Sequence, residues 1–202
     1  MFYYPNRPRL VPPDPLNPMN PARTYLDGLE ATGKYIAEQK WNGDNILLNT
    51  DSMEFWNRHK TIHRYQPTPE VQAELDRLPK HAQFNLELVH YHTKTLKDLL
   101  VIHCVMVWNG EPLLGRTWGD SRKILEDNIR SGTHVKLSEI HRSGFWELYQ
   151  RADGGSTPMV EGIILKDPTG KLVFTATPGQ ETTPGVPWML KIRKPKPGVY
   201  QF

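Results

Sequence analysis

Strand-like segments outnumber helical ones along this chain, and the two kinds do not alternate regularly. The longest apolar run, Leu99–Trp108, has the composition of a buried strand and is followed by the turn signal Asn109-Gly110. Parallel sheets need a long crossover between successive strands, usually a helix, whereas antiparallel sheets do not. The sequence therefore predicts an α+β fold with mostly antiparallel sheets flanked by helices.

The apolar spacing predicts further elements on both sides of this run. Helices are predicted at residues 69–77, 120–129 and 145–151, and a short helix or turn at 24–32. Asp120 or Ser121 is expected to cap the helix at 120–129. Strands are predicted on both sides of Gly43 within 34–50, and at 55–62, 82–90, 134–137, 160–166 and 188–193. The strand at 82–90 is expected to be half-buried, and a strand at 171–175 is expected to pair with the one at 160–166.

The first 22 residues carry seven of the 18 prolines in the chain. Proline fixes φ and lacks a backbone N–H, so this segment is predicted to be extended or irregular. Such a segment can be disordered or can wrap a domain surface, and the apolar side chains of Leu10 and Leu16 favour wrapping. Residues 23–202 are then expected to form one domain.

The composition excludes several classes of protein. A single cysteine, Cys104, excludes an intrachain disulfide framework and a cysteine-rich zinc site. No apolar run approaches the length of a membrane span, and the polar, proline-rich start is unlike a signal peptide. A cytoplasmic protein with no membrane partner is expected. The net charge of +3 permits a polyanionic partner without requiring one.

Four short segments, in a fixed order, present charged residues from an apolar background. They are 40–43 with Lys40, 84–88 with Glu87, 161–166 with Glu161 and Lys166, and 188–194 with Lys191, Arg193 and Lys194. A charged side chain that faces inward is costly unless it is paired or binds something. The four segments together predict a cleft suited to a nucleotide phosphate and a metal ion.

Lys40, in the first of these segments, has a local sequence that fits either a nucleophilic lysine or an ordinary surface lysine. Lys40 follows an apolar-leaning run and precedes Gly43, so its side chain can point into a cleft. Neighbouring cations and partial burial favour the neutral amine, which is the nucleophilic form of a lysine. The three downstream segments favour the nucleophile.

The ordered segments resemble the motifs of the nucleotidyltransferase domain shared by ATP-dependent DNA ligases, RNA ligases and mRNA capping enzymes. The resemblance covers about residues 30–196 and implies the ATP-grasp-like catalytic domain of those enzymes. It implies that Lys40 attacks the α-phosphate of ATP. It further implies that Lys166, Lys191 and Arg193 act on the phosphates.

The resemblance also assigns residues that bind the nucleotide and the metal. Glu38 matches the position that reads the adenine amino group, and Glu87 the position that holds the ribose. His103 falls where an aromatic side chain stacks on the base, while Asn45 and Arg58 match further nucleotide-binding positions. Glu161, with Glu87, is implied to hold Mg²⁺ or Mn²⁺.

The implied activity is the sealing of 5′-phosphate and 3′-hydroxyl ends in a nicked or broken duplex by a monomeric enzyme. Glu38 and Arg58 favour DNA, as in replication or repair, whereas Asn45 favours RNA. The family usually has aspartate where Asn42 stands, and no OB-fold domain is expected after the fifth motif. A capping-type guanylyltransferase and a nucleotide-binding module without catalysis are the alternatives. The short chain is typical of a phage enzyme, whose setting is the host cytoplasm.

Overall fold

The computed structural model describes residues 3–11, 23–91, 96–152, 160–175 and 185–194. Within these ranges the helices are α1 (Arg23–Ala31), α2 (Pro69–Leu75), α3 (Trp118–Asn128) and α4 (Phe145–Arg151). The strands in the same ranges are β1 (Tyr4–Pro5), β2 (Pro8–Leu10), β3 (Ile36–Trp41), β4 (Asp44–Asn49), β5 (Glu54–Trp56), β6 (Gln83–Val89), β7 (Leu99–Trp108), β8 (Glu111–Pro112), β9 (Val135–Leu137), β10 (Val160–Lys166), β11 (Phe174–Thr175) and β12 (Val186–Arg193). The predicted α+β class with mostly antiparallel pairing is confirmed.

The described residues divide into two compact units. The larger unit comprises 3–6, 42–91, 96–138 and 169–175, and its main sheet has the strand order β5-β4-β6-β7-β8. β9 lies parallel to β7, and β1 pairs with β11 in a separate ribbon. The prediction of a half-buried β6 is wrong, because Gln83 and Asn85, which alternate with the apolar residues, are buried as well.

The smaller unit comprises the described residues 7–11, 23–41, 139–152, 160–168 and 185–194. Its sheet has the order β2-β12-β10-β3, in which only β2 is parallel to its neighbour. One face of this sheet packs on α1 and α4, and together they bury Leu26, Ala37, Phe145, Leu148, Tyr149, Ile163, Leu165, Leu190 and Ile192. Since strand side chains alternate between faces, the residues between these positions lie on the opposite face.

Three local predictions are corrected. The strand predicted at 55–62 ends at Trp56, because the Asn57 side chain accepts hydrogen bonds from the next turn of backbone (2.9 and 3.2 Å). The strand near residue 175 pairs with β1, since β3 and β12 already occupy both edges of β10. The third helix begins at Trp118, with Thr117 as its N-cap and Asp120 completing a capping box.

The proline-rich start contributes a strand to each unit: β1 to the larger and β2 to the smaller. Leu16, which was expected to help it wrap the surface, lies outside the described residues. No helix among the described residues is long and apolar enough to cross a membrane.

In the larger unit, Glu74 on α2 fixes the start of β9. Its carboxylate accepts backbone N–H groups from Thr133, His134 and Val135 (2.9, 2.9 and 2.8 Å). Burial raises the pKa of Glu74, but these three hydrogen bonds outweigh it and lower the pKa. We expect Glu74→Ala to reduce the free energy of unfolding by about 2–4 kcal/mol at pH 7, since bonds to a charged group are strong.

The pKa of Glu74 is lowered in the folded state. Its contribution to the free energy of unfolding is therefore present above the ordinary glutamate pKa and is lost as the pH falls through the pKa of the folded state. Urea unfolding at pH 7 and at pH 3 measures this directly. The wild type and Glu74→Ala should differ less at pH 3. An equal difference at both pH values would contradict the electrostatic account.

Candidate active site

One face of the smaller unit's sheet carries charged side chains from three neighbouring strands. Ala37 on β3 and Leu190 on β12 belong to the core, so the alternating residues lie on the other side. We call this side the charged face, and it carries Glu38, Lys40, Glu161, Lys166, Lys191 and Arg193. All six are among the site residues predicted from the sequence.

A β-bulge directs Glu161 towards this face. Lys40 lies opposite Gly162, and the register skips one residue on β10, which is Glu161. Regular alternation would put Glu161 on the same side as Ile163 in the core. Instead, one of its carboxylate oxygens contacts Nζ of Lys40. The bulge therefore creates a lysine–carboxylate pair that a regular strand would not form.

Gly162 is required at this bulge because no side chain fits. Its φ is 154°, and a Cβ there would lie 2.0 Å from the carbonyl oxygen of Ile192 on β12. A glycine inside a strand pattern is the sequence signal for such a bulge. The sequence prediction included Gly162 in a motif but did not include the bulge.

We expect Gly162→Ala to reduce the free energy of unfolding by about 2–4 kcal/mol, because strain and overpacking add. Gly28→Ala is the matched control: Gly28 lies in α1 with no atom within 4 Å of the added methyl group. That change should be neutral or stabilise by up to about 1 kcal/mol. Chemical unfolding of both variants tests the expectation, and equal stability of the two would contradict it.

The two carboxylates of the charged face have different surroundings. Glu38 accepts a hydrogen bond from Nζ of Lys166 at 2.8 Å, and both side chains are almost fully buried. Glu161 contacts Lys40 and lies 3.3 Å from Nη2 of Arg193, and it retains some exposure to solvent. The pair of Glu38 and Lys166 is therefore buried, whereas Glu161 with its two cations is accessible to a ligand.

Positive charge exceeds negative charge on this face by two groups. Burial lowers the pKa of Lys191, and the charges of Arg193, Lys40 and Arg7 lower it further, although Glu161 opposes them. A cation whose pKa is lowered by neighbouring cations marks a position where an anion is stabilised. The charged face is therefore suited to a phosphate group.

Glu87 and Asn45, also predicted site residues, lie together in the larger unit. Oε1 of Glu87 accepts the N–H of Gly43 at 2.9 Å, and Oε2 lies 3.4 Å from Nδ2 of Asn45. A Cβ on Gly43 would lie 2.3 Å from the carbonyl oxygen of Leu88, so only glycine permits this approach. The hydroxyl of Tyr4 also reaches Asn45, a contact that the sequence did not predict.

The remaining predicted residues lie elsewhere in the larger unit. His103 is the extra residue of a bulge on β7 and is half-buried. Arg58 is exposed in the turn after β5, with its Nε 3.1 Å from the ring of His59. Lys40 and the charged residues of the last two predicted segments thus belong to the smaller unit, whereas Glu87 belongs to the larger.

Solved structures of DNA ligases share this architecture. The ligase domain of M. tuberculosis LigD matches 79% of this chain and 53% of its own length, at a TM-score of 0.56 and 16% identity. A mycobacterial DNA ligase D complexed with ATP and MES matches 93% of this chain and 60% of its own, with a TM-score of 0.53 and 14% identity. The chain has the nucleotidyltransferase fold of the ATP-dependent ligases.

The match extends to a Lig E DNA ligase, at a TM-score of 0.50 and 10% identity over 80% of this chain and 62% of its own. This chain spans roughly half to three fifths of the length of these ligases. No protein-family model matches the sequence, and no curated protein matches it. At these identities the comparison confirms the expected ligase nucleotidyltransferase fold, and the chemistry depends on the residues described above.

Proposed function

We propose that this protein is an ATP-dependent polynucleotide ligase, which seals 5′-phosphate and 3′-hydroxyl ends of DNA or RNA through a covalent lysyl-AMP intermediate. The observation that supports it most is the charged face, where Lys40 contacts Glu161 beside further cations. A lysine held among cations and one accessible carboxylate suits attack on a phosphate. The ligase fold supports the same reaction class.

In the first step, the neutral amine of Lys40 attacks the α-phosphorus of ATP. A nitrogen–phosphorus bond forms, the bond to the bridging oxygen breaks, pyrophosphate leaves, and Nζ releases one of its two protons to solvent. Lys191 and Arg193 lie on the same face and stabilise the charge that develops on the phosphate oxygens. Lys166 is paired with the buried Glu38, so this pair adds no net charge to the face.

Glu161 fits a metal ion that is shared with the nucleotide. Mg²⁺ is usually held by one or two carboxylates together with substrate phosphates. No group of three or more candidate ligands occurs among the described residues, so a site made of protein ligands alone is not formed there. Glu161, with the phosphates, would hold Mg²⁺ or Mn²⁺, which neutralises charge on the leaving group. Both oxygens of Glu87 have N–H partners, which favours its role at the ribose.

In the next two steps the AMP passes from Lys40 to the 5′-phosphate at the break. The 3′-hydroxyl then attacks that phosphate, the strands join and AMP leaves. Lys191 and Arg193 serve these steps as well, because each step moves negative charge on a phosphoryl group.

Labelling with α-³²P-ATP or α-³²P-GTP tests the proposed function. Only ATP should label the protein, and the label should be lost when a nicked duplex is added. Labelling by GTP would instead indicate a capping-type guanylyltransferase. Tight ATP binding without a label would indicate a binding module that lacks catalysis.

We also expect strand joining to depend steeply on salt, whereas self-adenylylation should change little. We propose that the cations around Lys191 and Lys194, with Arg7 and Arg9, bind the phosphate backbone. With about three to five phosphate contacts, the logarithm of the affinity for DNA should fall by about 0.9 per contact for each log unit of salt. Arg9→Ala should reduce the slope by about one. Lys123→Ala, which removes an exposed lysine on α3 in the larger unit, should leave the salt dependence unchanged. If strand joining and self-adenylylation decline in parallel as salt rises, these cations are not the nucleic-acid binding surface.

A further inference from the structure

The N-terminal strand β1 brings a hydroxyl group to Asn45, the neighbour of Glu87 in the larger unit. Tyr4 donates a hydrogen bond to Oδ1 of Asn45 at 2.6 Å. Its backbone is held in register with Thr175 of β11, and the N–H of Tyr3 donates to Oε1 of Gln83 on β6 (3.3 Å). The backbone that carries this phenol is therefore held by contacts to β11 and β6.

The contacts of Tyr4 and Asn85 together determine which way the Asn45 amide points. Nδ2 of Asn85 also donates to Oδ1 of Asn45, at 3.0 Å, so this oxygen has two donors. Nδ2 of Asn45 is then directed at Oε2 of Glu87, 3.4 Å away. With the N–H of Gly43 on Oε1, each carboxylate oxygen has one protein donor and keeps a lone pair for a ligand.

We propose that Tyr4 is a positioning residue for the nucleotide: by orienting Asn45 it holds the Glu87 carboxylate ready for the two ribose hydroxyls of ATP. This inference rests on the proposed function, in which Glu87 binds the ribose. A carboxylate fixed by two donors can accept one hydroxyl on each oxygen, so it discriminates ATP from 2′-deoxy-ATP. A carboxylate that rotates freely discriminates less.

Tyr4→Phe removes the donor and keeps the ring. We expect this variant to bind ATP about three- to tenfold more weakly, which is the range for one hydrogen bond. Its preference for ATP over 2′-deoxy-ATP should fall by a similar factor, while self-adenylylation at saturating ATP stays within about twofold of the wild type. Isothermal titration with each nucleotide measures the affinities, and intact mass measures the adduct.

Two variants separate positioning from a general effect on structure. Tyr25→Phe removes a hydroxyl from an exposed tyrosine on α1 and should leave both affinities unchanged. In the background of Asn45→Ala, Tyr4→Phe should have no further effect on ATP affinity, because the path to Glu87 is already broken.

Wild-type affinity and selectivity in Tyr4→Phe would overturn the role of Tyr4 and leave the proposed ligase function standing. An equal loss of affinity for both nucleotides would also overturn it, since a purely structural role predicts no change in selectivity. If the wild-type protein itself binds no ATP, the proposed function fails and this inference fails with it.

Discussion

Lys40→Arg is expected to abolish the covalent attachment of AMP while leaving the charged face intact. The variant keeps a positive charge for the Glu161 carboxylate that Lys40 contacts. A guanidinium group does not lose its proton in proteins, so it cannot supply the neutral nitrogen that attacks phosphorus. The rate should fall by on the order of a thousandfold or more, as for other catalytic nucleophiles. Intact-mass measurement after incubation with ATP and Mg²⁺ should give one added AMP in the wild type and none in the variant.

The matched control is Lys34→Arg. Lys34 is an exposed lysine in the same unit whose Nζ lies 3.3 Å from a carboxylate oxygen of Asp167. The Lys34→Arg variant should acquire AMP at the wild-type rate. An adduct that forms on Lys40→Arg at a comparable rate would mean that the nucleophile lies elsewhere.

The second large effect is expected for Glu161→Gln. The amide has the same shape and can still accept a hydrogen bond from Lys40, but the negative charge that would hold a divalent cation is gone. Losing such a contact with developing charge raises the barrier by about 3 kcal/mol, which is on the order of a hundredfold in rate. Single-turnover adenylylation at several Mg²⁺ concentrations measures the effect, which should be partly offset at high Mg²⁺.

Glu147→Gln controls for the loss of one negative charge in the smaller unit. Glu147 is an exposed residue of α4 near Arg23 and is outside the charged face. The rate of adenylylation of Glu147→Gln should match that of the wild type. A loss of less than about threefold in Glu161→Gln would exclude Glu161 as a metal ligand.

Apolar periodicity predicted best the elements whose own residues decide which side chains are buried. β7, α4 and β10 begin and end where the sequence predicted. The apolar run of β7 is buried along most of its length, so no alternative placement competes with it. The pairing of β11 was missed because it depends on which strand edges are still open, and that is determined by segments far away in the chain.

The candidate site was predicted by residue type but not by geometry. Lys40 and Glu161 were both expected in it, yet strict alternation would have put Glu161 in the core. Their contact depends on the bulge at Gly162, and a bulge is a property of the register between two strands. The contact of Tyr4 with Asn45 was missed for the same kind of reason, since a tyrosine among prolines carries no signal for its distant partner.

In the proposed reaction, AMP passes through Lys40 to a nucleic-acid end. The most direct measurement is a pulse–chase: the protein is labelled with α-³²P-ATP, freed of nucleotide, and mixed with a nicked duplex. We predict that the label on the protein is lost as a sealed strand appears, with one strand joined for each AMP released, and that Lys40→Arg seals nothing under the same conditions. A label that remains on the protein in the presence of nicked DNA and nicked RNA, or sealing by Lys40→Arg, would rule out transfer of AMP through Lys40.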